Sequence, residues 1–416
     1  LSLIGTVAPP GDKSISHRLV LFSLLAGGEM RLANLSPGQD VLSSLAAAAK
    51  LGARMADLDS ETVIQGAEAR LVERAEIDCG NSGTTMRLLM GLLAGRPGRY
   101  VLDGDPSLRR RPMERVAQPL RLMGGRVDCP DGRCPVTLEG QSLKGIDFSL
   151  PVASAQLKSA VLLAGLQAEG ATLVREPRPS RDHTERLIQA LGGRISRVEG
   201  GWRVERSALR LPERVRVPGD ASSAAFFLGA AAITPGSRVT AEGVLLNPTR
   251  TGFLEVLARL GARVETQVQG REPEPWGRVR VAYSPGLLAC RIGPEEIPGL
   301  VDEVPILALA ASQARGTTVF HDVGELRLKE SDRLAALVSQ LGLMGANISL
   351  EGDKLLVSGP TRLKAPDRLD SFGDHRIAMT LRLGLALAGG GGTIRGENSV
   401  GVSYPGFHQD LERLWR

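Results

Sequence analysis

Five times along the chain a helical pattern stops at a Leu-Gly or Met-Gly pair and a strand-like run follows: AAAAKLGARM, QPLRLMGGRVD, LIQALGGRI, VLARLGARVE and LMGANISL. The glycines fall at 52, 124, 192, 261 and 345, so the copies recur at gaps of 72, 68, 69 and 84 residues. No other feature limits the fold so strongly, because a unit that returns at a near-fixed period has to bury its apolar face against its own copies. The local physics predicts an amphipathic helix that ends on a left-handed glycine, after which β-branched residues begin a strand. The stretch HQDLERLWR reads as a sixth copy without its strand.

A second element alternates with the first. It is a helix of small and apolar residues: SHRLVLFSLLAGG, TTMRLLMGLLAG, AQLKSAVLLAGL, ASSAAFFLGAAAI, VPILALAASQA and HRIAMTLRLGLALAGG. Helices apolar around their whole circumference belong in an interior. Six copies of two helices with strands between them predict an α/β chain in which parallel helices are enclosed by sheets. At 416 residues the chain exceeds one ordinary core, and two domains of about 200 residues each are expected.

Ahead of each apolar helix stands a polar cluster: Gly11-Asp12-Lys13-Ser14, Gly80-Asn81-Ser82-Gly83-Thr84, Ser154-Ala155-Gln156, Gly219-Asp220-Ala221-Ser222, Val301-Asp302-Glu303 and Gly373-Asp374-His375-Arg376. Ser, Asn and Asp serve there as N-caps. Capping does not call for Lys13, Arg18 or Arg376. A helix N-terminus already offers unpaired N–H groups and partial positive charge, and added cations make it an anion site. If the repeats of each domain lie side by side, three such ends share one cleft. Only seven of the 51 basic side chains are lysine, and one of them, Lys13, sits at such an end. Arg109, Arg110 and Arg111 in DPSLRRRP, Arg181 in SRDHTE, and Lys329 with Arg333 in RLKESDRL supply more positive charge. Lys329 and Arg333, four apart, are expected on one helical face with Glu330 beside them. Arg109 and Arg110 read as solvated, and Arg111, next to Pro112, as functional.

Composition narrows the partners. Net charge is +5 with the basic residues scattered, and aromatics make up 3%, which leaves few platforms for stacking bases. That balance suits small anions better than a polynucleotide. The four cysteines show no zinc-ligand spacing and read as reduced thiols of a cytoplasmic protein. No charged region precedes an apolar stretch at Leu1, so a signal peptide is not expected, and no apolar run approaches the ~18 residues of a membrane span.

Eight ordered stretches together resemble the 5-enolpyruvylshikimate-3-phosphate synthases: PGDKSISHR, DCGNSGTTMRLL, RRRPM, VASAQLKSAVLLAGL, RDHTE, VDEVP, LRLKESDRL and GDHRIAM. Their details are similar to a bacterial subgroup sometimes called class II. The resemblance implies a two-lobed inside-out α/β barrel, the enolpyruvyl transferase fold, with six βαβαββ repeats, three per lobe. It places residues 1–12 and 219–416 in one lobe and 13–218 in the other. The crossings fall near 11–13 and 217–220, where Gly11 and Gly219 could act as hinges. The implied reaction moves the enolpyruvyl group of phosphoenolpyruvate to the 5-hydroxyl of shikimate 3-phosphate and releases phosphate, with no metal or organic cofactor.

By motif match, Lys13, Ser14, Arg18, Ser154, Gln156, Arg181, Asp302 and Lys329 would hold shikimate 3-phosphate. Lys13, Gly83, Arg111, Gln156, Arg333 and Arg376 would hold phosphoenolpyruvate. Asp302 would take the hydroxyl proton, and Glu330, or Lys13 with it, would protonate the methylene carbon. Gly83 keeps the small residue that in the family leaves room for the herbicide glyphosate. Two departures stand out: many relatives carry a Lys just before the final S/T-[FY]-P motif, where this chain has Val402, and an Asn of the family is Glu325 here. The small-molecule substrates are the only partners implied, with no nucleic acid, no membrane and no second copy required. Alternatives are UDP-N-acetylglucosamine enolpyruvyl transferase, whose reactive Cys or Asp loop is not matched at 104–112, and a non-catalytic anion- or RNA-associated protein, which would need neither Asp302 nor Glu330.

Overall fold

The structure is a computed structural model that describes residues 2–68 and 70–416. It divides into two compact units, a first of Leu1–Pro10 with Pro218–Arg416 and a second of Gly11–Val217. The second unit holds helices α1 (Lys13–Phe22), α2 (Gln39–Lys50), α3 (Gly83–Leu93), α4 (Glu114–Leu122), α5 (Ala155–Gly165) and α6 (His183–Ala190). The first holds α7 (Ala221–Ile233), α8 (Gly252–Arg259), α9 (Val304–Ala311), α10 (Arg333–Leu343), α11 (His375–Leu387) and α12 (Phe407–Leu414).

The two helix types behave as their patterns require. Every residue of α7 and of α9 is buried, and α3 buries all but Thr84. By contrast α12 buries only Phe407, Leu411 and Leu414, a stripe at i, i+4 and i+7. Burying Phe226 and Phe227 alone removes from water side chains worth ~2–3 kcal/mol each. The apolar helices meet one another: α3 packs on α1 and α5, and α7, α9 and α11 pack together. The contact between α3 and α5 is so close that a Cβ at Gly91 would stand 2.1 Å from the Ala160 carbonyl oxygen. All five repeat glycines have positive φ, from 83° at Gly192 to 113° at Gly52, which an L side chain resists.

One sheet pattern recurs. Each of five four-stranded sheets begins with a parallel pair and continues with two antiparallel neighbours, as in Arg74–Asp78, Gly98–Asp103, Val136–Gly140, Arg126–Asp128. The last repeat is shorter, with only the parallel pair Arg368–Asp370 and Thr393–Arg395 ahead of α12. In both units the chain's return completes a sheet. Arg214–Arg216 pairs with Glu29–Ala33 in the second unit, and Ile4–Val7 with Arg238–Leu245 in the first. Where the chain enters the second unit, Gly11 is held tightly: a Cβ there would lie 1.8 Å from the Asn34 carbonyl oxygen.

Candidate functional site

Five of the clusters ahead of apolar helices do cap them. Asp12, Ser82, Ser154, Asp220 and Asp374 each accept a bond from a first-turn N–H, at 2.9, 3.1, 3.4, 2.7 and 2.9 Å for the nearest. At Ser82 and Ser154 capping and anion binding are compatible, since a hydroxyl that accepts from the backbone can still donate.

In the second unit three helix N-termini are joined by side chains. Lys13, in the first turn of α1, donates to Asp40 Oδ2 on α2 at 2.9 Å. One turn on, buried Arg18 donates to the Ser14 carbonyl oxygen (2.9 Å), to Thr184 Oγ1 on α6 (2.7 Å) and to Ser159 Oγ on α5 (2.9 Å). Gln156 at the start of α5 accepts from Arg87 Nη1 at 2.5 Å and donates to Thr84 Oγ1 at 2.9 Å. Gly83 lies under two guanidinium groups, for a Cβ there would stand 2.8 Å from Arg87 Nη1 and 3.3 Å from Arg111 Nη1. Arg111 donates to the carbonyl oxygen of Asn81 (3.2 Å) and to its Oδ1 (2.5 Å). Thus Lys13, Ser14, Arg18, Gly83, Ser154 and Gln156 belong to the joined starts of α1, α3 and α5, Arg111 reaches the start of α3 from the turn before α4 through Asn81, and Arg181 lies on the loop before α6. Arg109 is exposed and paired with Asp103, and Arg110 is exposed.

Beneath this surface, His17 Nδ1 is 2.8 Å from Ser44 Oγ, which bonds Thr85 Oγ1 (2.7 Å), which donates to Ser82 Oγ (2.7 Å). Burial holds the imidazole at a pKa of about 3, against the pull of Asp40 and with help from Lys13 and Arg18.

In the first unit Arg333 opens α10 and is buried, and its guanidinium holds three carboxylates: Asp374 (2.8 Å), Glu330 (2.6 Å) and Asp302 (3.1 Å). Burial alone would make this group less basic, but Asp374, Glu330 and Asp302 outweigh it and raise its pKa. Arg376, at the start of α11, adds a second cation, with Nε 3.5 Å from Asp302 Oδ1 and Nη1 donating to the Asp302 carbonyl oxygen at 3.3 Å. Lys329 is pulled below its usual value by burial, while Asp302 and Glu325 act the other way. Beside these, buried Arg250 donates to Ser222 Oγ (2.8 Å), whose hydroxyl bonds Glu303. Asp302, Lys329, Glu330, Arg333 and Arg376 are therefore brought to one place.

One local expectation fails. Lys329 and Arg333 do not share a helical face, because Asp332 Oδ1 caps α10 by accepting from Ala335 N (3.0 Å) and the helix begins at Arg333. Lys329 and Glu330 instead precede the helix, after the short turn Gly324–Leu328. Sequence reasoning also passed over Asp40, Arg87 and Arg250. A lone Arg in the apolar helix GTTMRLLMGLL was a visible signal for Arg87, whereas nothing local marked Asp40. Among the described residues no group of three or more His, Cys, Asp and Glu could hold a metal ion, and no helix is long and apolar enough to cross a membrane.

The family model of EPSP synthase (3-phosphoshikimate 1-carboxyvinyltransferase) matches residues 2–411. The chain is 47% identical over 428 residues to a 3-phosphoshikimate 1-carboxyvinyltransferase of a Synechococcus strain, covering 100% of this chain and 98% of the relative. With that of Bacillus subtilis it shares 44% over 418 residues, covering 99% and 97%. Among solved structures it is similar to an EPSP synthase from Acinetobacter baumannii, with TM-score 0.88 and 37% identity over 99% of this chain and 96% of that one. The enolpyruvyl transferase NikO from Streptomyces tendae, at 20% identity and TM-score 0.80 over 99% of this chain and 95% of that one, shares the fold. On its sequence and its structure alike, the chain belongs to the EPSP synthase family.

Proposed function

We infer that this chain transfers the enolpyruvyl group of phosphoenolpyruvate to the 5-hydroxyl of shikimate 3-phosphate, with the side chains described above in defined roles. The observation that carries the assignment of roles is the arrangement around Arg333, where one buried guanidinium holds both Asp302 and Glu330 next to Arg376. Addition of an alcohol to a vinyl group needs a base at oxygen and an acid at carbon, held at the same time. It also needs cations, because the two substrates bring two phosphates and two carboxylates.

On this reading Lys13, Ser14, Arg18, Ser154, Gln156, Arg181, Asp302 and Lys329 hold shikimate 3-phosphate. Lys13, Gly83, Arg111, Gln156, Arg333 and Arg376 hold phosphoenolpyruvate. In the first step Asp302 takes the hydroxyl proton, the oxygen bonds C2, and Glu330, or Lys13 with it, delivers a proton to C3. In the second step C3 returns a proton, the double bond re-forms and phosphate leaves. The free protein holds Asp302 and Glu330 against Arg333. An incoming carboxylate on Arg333 and Arg376 competes with Asp302 and Glu330 for those cations. The same reading gives each unit three βαβαββ repeats with sheets around the helices, the last repeat shortened. The chain acts as a single copy in the cytoplasm, with its two substrates as its only partners and no metal or cofactor.

A coupled phosphate-release assay tests this. Release with shikimate 3-phosphate and phosphoenolpyruvate is expected, and release only with UDP-N-acetylglucosamine would overturn it in favour of the nucleotide-sugar reaction.

A further inference from the structure

Lys158 lies on α5 with no exposed surface, two residues beyond Gln156. A buried ammonium is costly unless it is paired and bonded on several sides. Its Nζ is 3.0 Å from Glu176 Oε1 and 2.8 Å from Glu185 Oε1, and it donates to the Ser180 carbonyl oxygen at 3.3 Å. Glu176 uses its other oxygen on the same segment, Oε2 accepting from Ser180 N (3.1 Å) and Ser180 Oγ (2.7 Å). Glu185 is fully buried on α6, and burial raises its pKa against the opposing pull of Lys158. Residues 176–182 (EPRPSRD) thus form a short loop tied at both ends to one buried charge: Glu176 closes the strand Ala171–Arg175, and α6 begins at His183.

The next residue after Ser180 is Arg181. Next to Lys158 on α5 is Ser159, which bonds Thr184 Oγ1 (2.6 Å), and both hydroxyls accept from Arg18. Two adjacent positions on α5 therefore serve two cations, Ser159 orienting Arg18 and Lys158 holding the loop that presents Arg181. Two prolines, Pro177 and Pro179, narrow the loop's other conformations but provide no tether of their own.

We propose that Lys158, Glu176 and Glu185 form a positioning triad for Arg181, fixing the loop that this guanidinium needs to hold shikimate 3-phosphate. The proposal rests on the reading of Arg181 given above. An unfixed arginine loses rotamer and loop entropy on binding, and the triad removes that cost beforehand.

The test is steady-state kinetics on the full chain with Arg181→Ala, Glu176→Gln, Ser180→Ala and the double variant Glu176→Gln/Arg181→Ala. Glu176→Gln and Ser180→Ala spare the Lys158–Glu185 pair, so at least one of them is expected to fold. Expected are a KM for shikimate 3-phosphate raised about tenfold by Glu176→Gln and about threefold by Ser180→Ala, with kcat and the KM for phosphoenolpyruvate within about twofold. The double variant should be no worse than Arg181→Ala alone, because the triad acts only through that side chain. Additive losses, an equal rise in both KM values, or wild-type KM in both loop variants would overturn the triad's role while leaving Arg181 in place. Arg181→Ala with an unchanged KM for shikimate 3-phosphate would instead overturn the reading of Arg181 itself.

Discussion

Arg333 Nη1 stands 3.1 Å from Asp302 Oδ1, so the candidate base and a candidate substrate-binding cation are bonded to each other in the free protein. The pair is buried on the arginine side and part-exposed on the aspartate side, which lets a substrate anion reach it. Replacing Asp302 should therefore separate chemistry from binding. For Asp302→Asn, kcat is expected to fall about 10²–10⁴-fold, the usual scale for loss of a general base. Binding of shikimate 3-phosphate, followed by titration calorimetry, should weaken only slightly. A variant with near-normal kcat would assign the base elsewhere.

Gly83 gives a second prediction. A methyl group there would crowd Arg87 Nη1 at 2.8 Å and Arg111 Nη1 at 3.3 Å, and both are ends of flexible side chains that can move. Gly83→Ala should fold normally, raise the KM for phosphoenolpyruvate about tenfold, and weaken inhibition by glyphosate by more than that. Inhibition curves at fixed substrate measure both, and wild-type activity unaffected by millimolar glyphosate would rule the idea out.

The third concerns acid. His17 titrates near 3 when folded and near 6.5 when unfolded, so between those values the unfolded chain binds the extra proton. Stability from this group is complete above pH 6.5 and is lost as pH falls toward 3. Urea unfolding at pH 6.5 and 4.5 should show a loss of roughly 2–3 kcal/mol from His17. His17→Asn, which keeps a polar partner for Ser44, should remove that part of the slope. An unchanged slope would mean that other groups set the acid limit.

What the sequence made legible was local. The five repeat glycines and the six apolar helices are each encoded within about a dozen residues, and the structure has them all. The partners of the charges were not legible, because the fold assembles them from distant segments. Lys13 meets Asp40 across 27 positions, Arg18 meets Thr184 across 166, and Arg333 meets Asp374 across 41. The misjudged face of Lys329 and Arg333 has a local cause, since periodicity extended the helix backward through Asp332, whose side chain ends it. Lys158 is one polar residue in an apolar helix, and its partners Glu176 and Glu185 come from segments 18 and 27 residues away.

The pairing of Ile4–Val7 with Arg238–Leu245 has a consequence for biosynthesis. As the polypeptide leaves the ribosome, Ile4–Val7 lacks this partner until more than two hundred further residues have been translated. The second unit, contiguous from Gly11 to Val217, can complete itself in that interval. The first unit must join two segments separated by the whole of the second, a long-range loop closure that makes it the slower partner to mature.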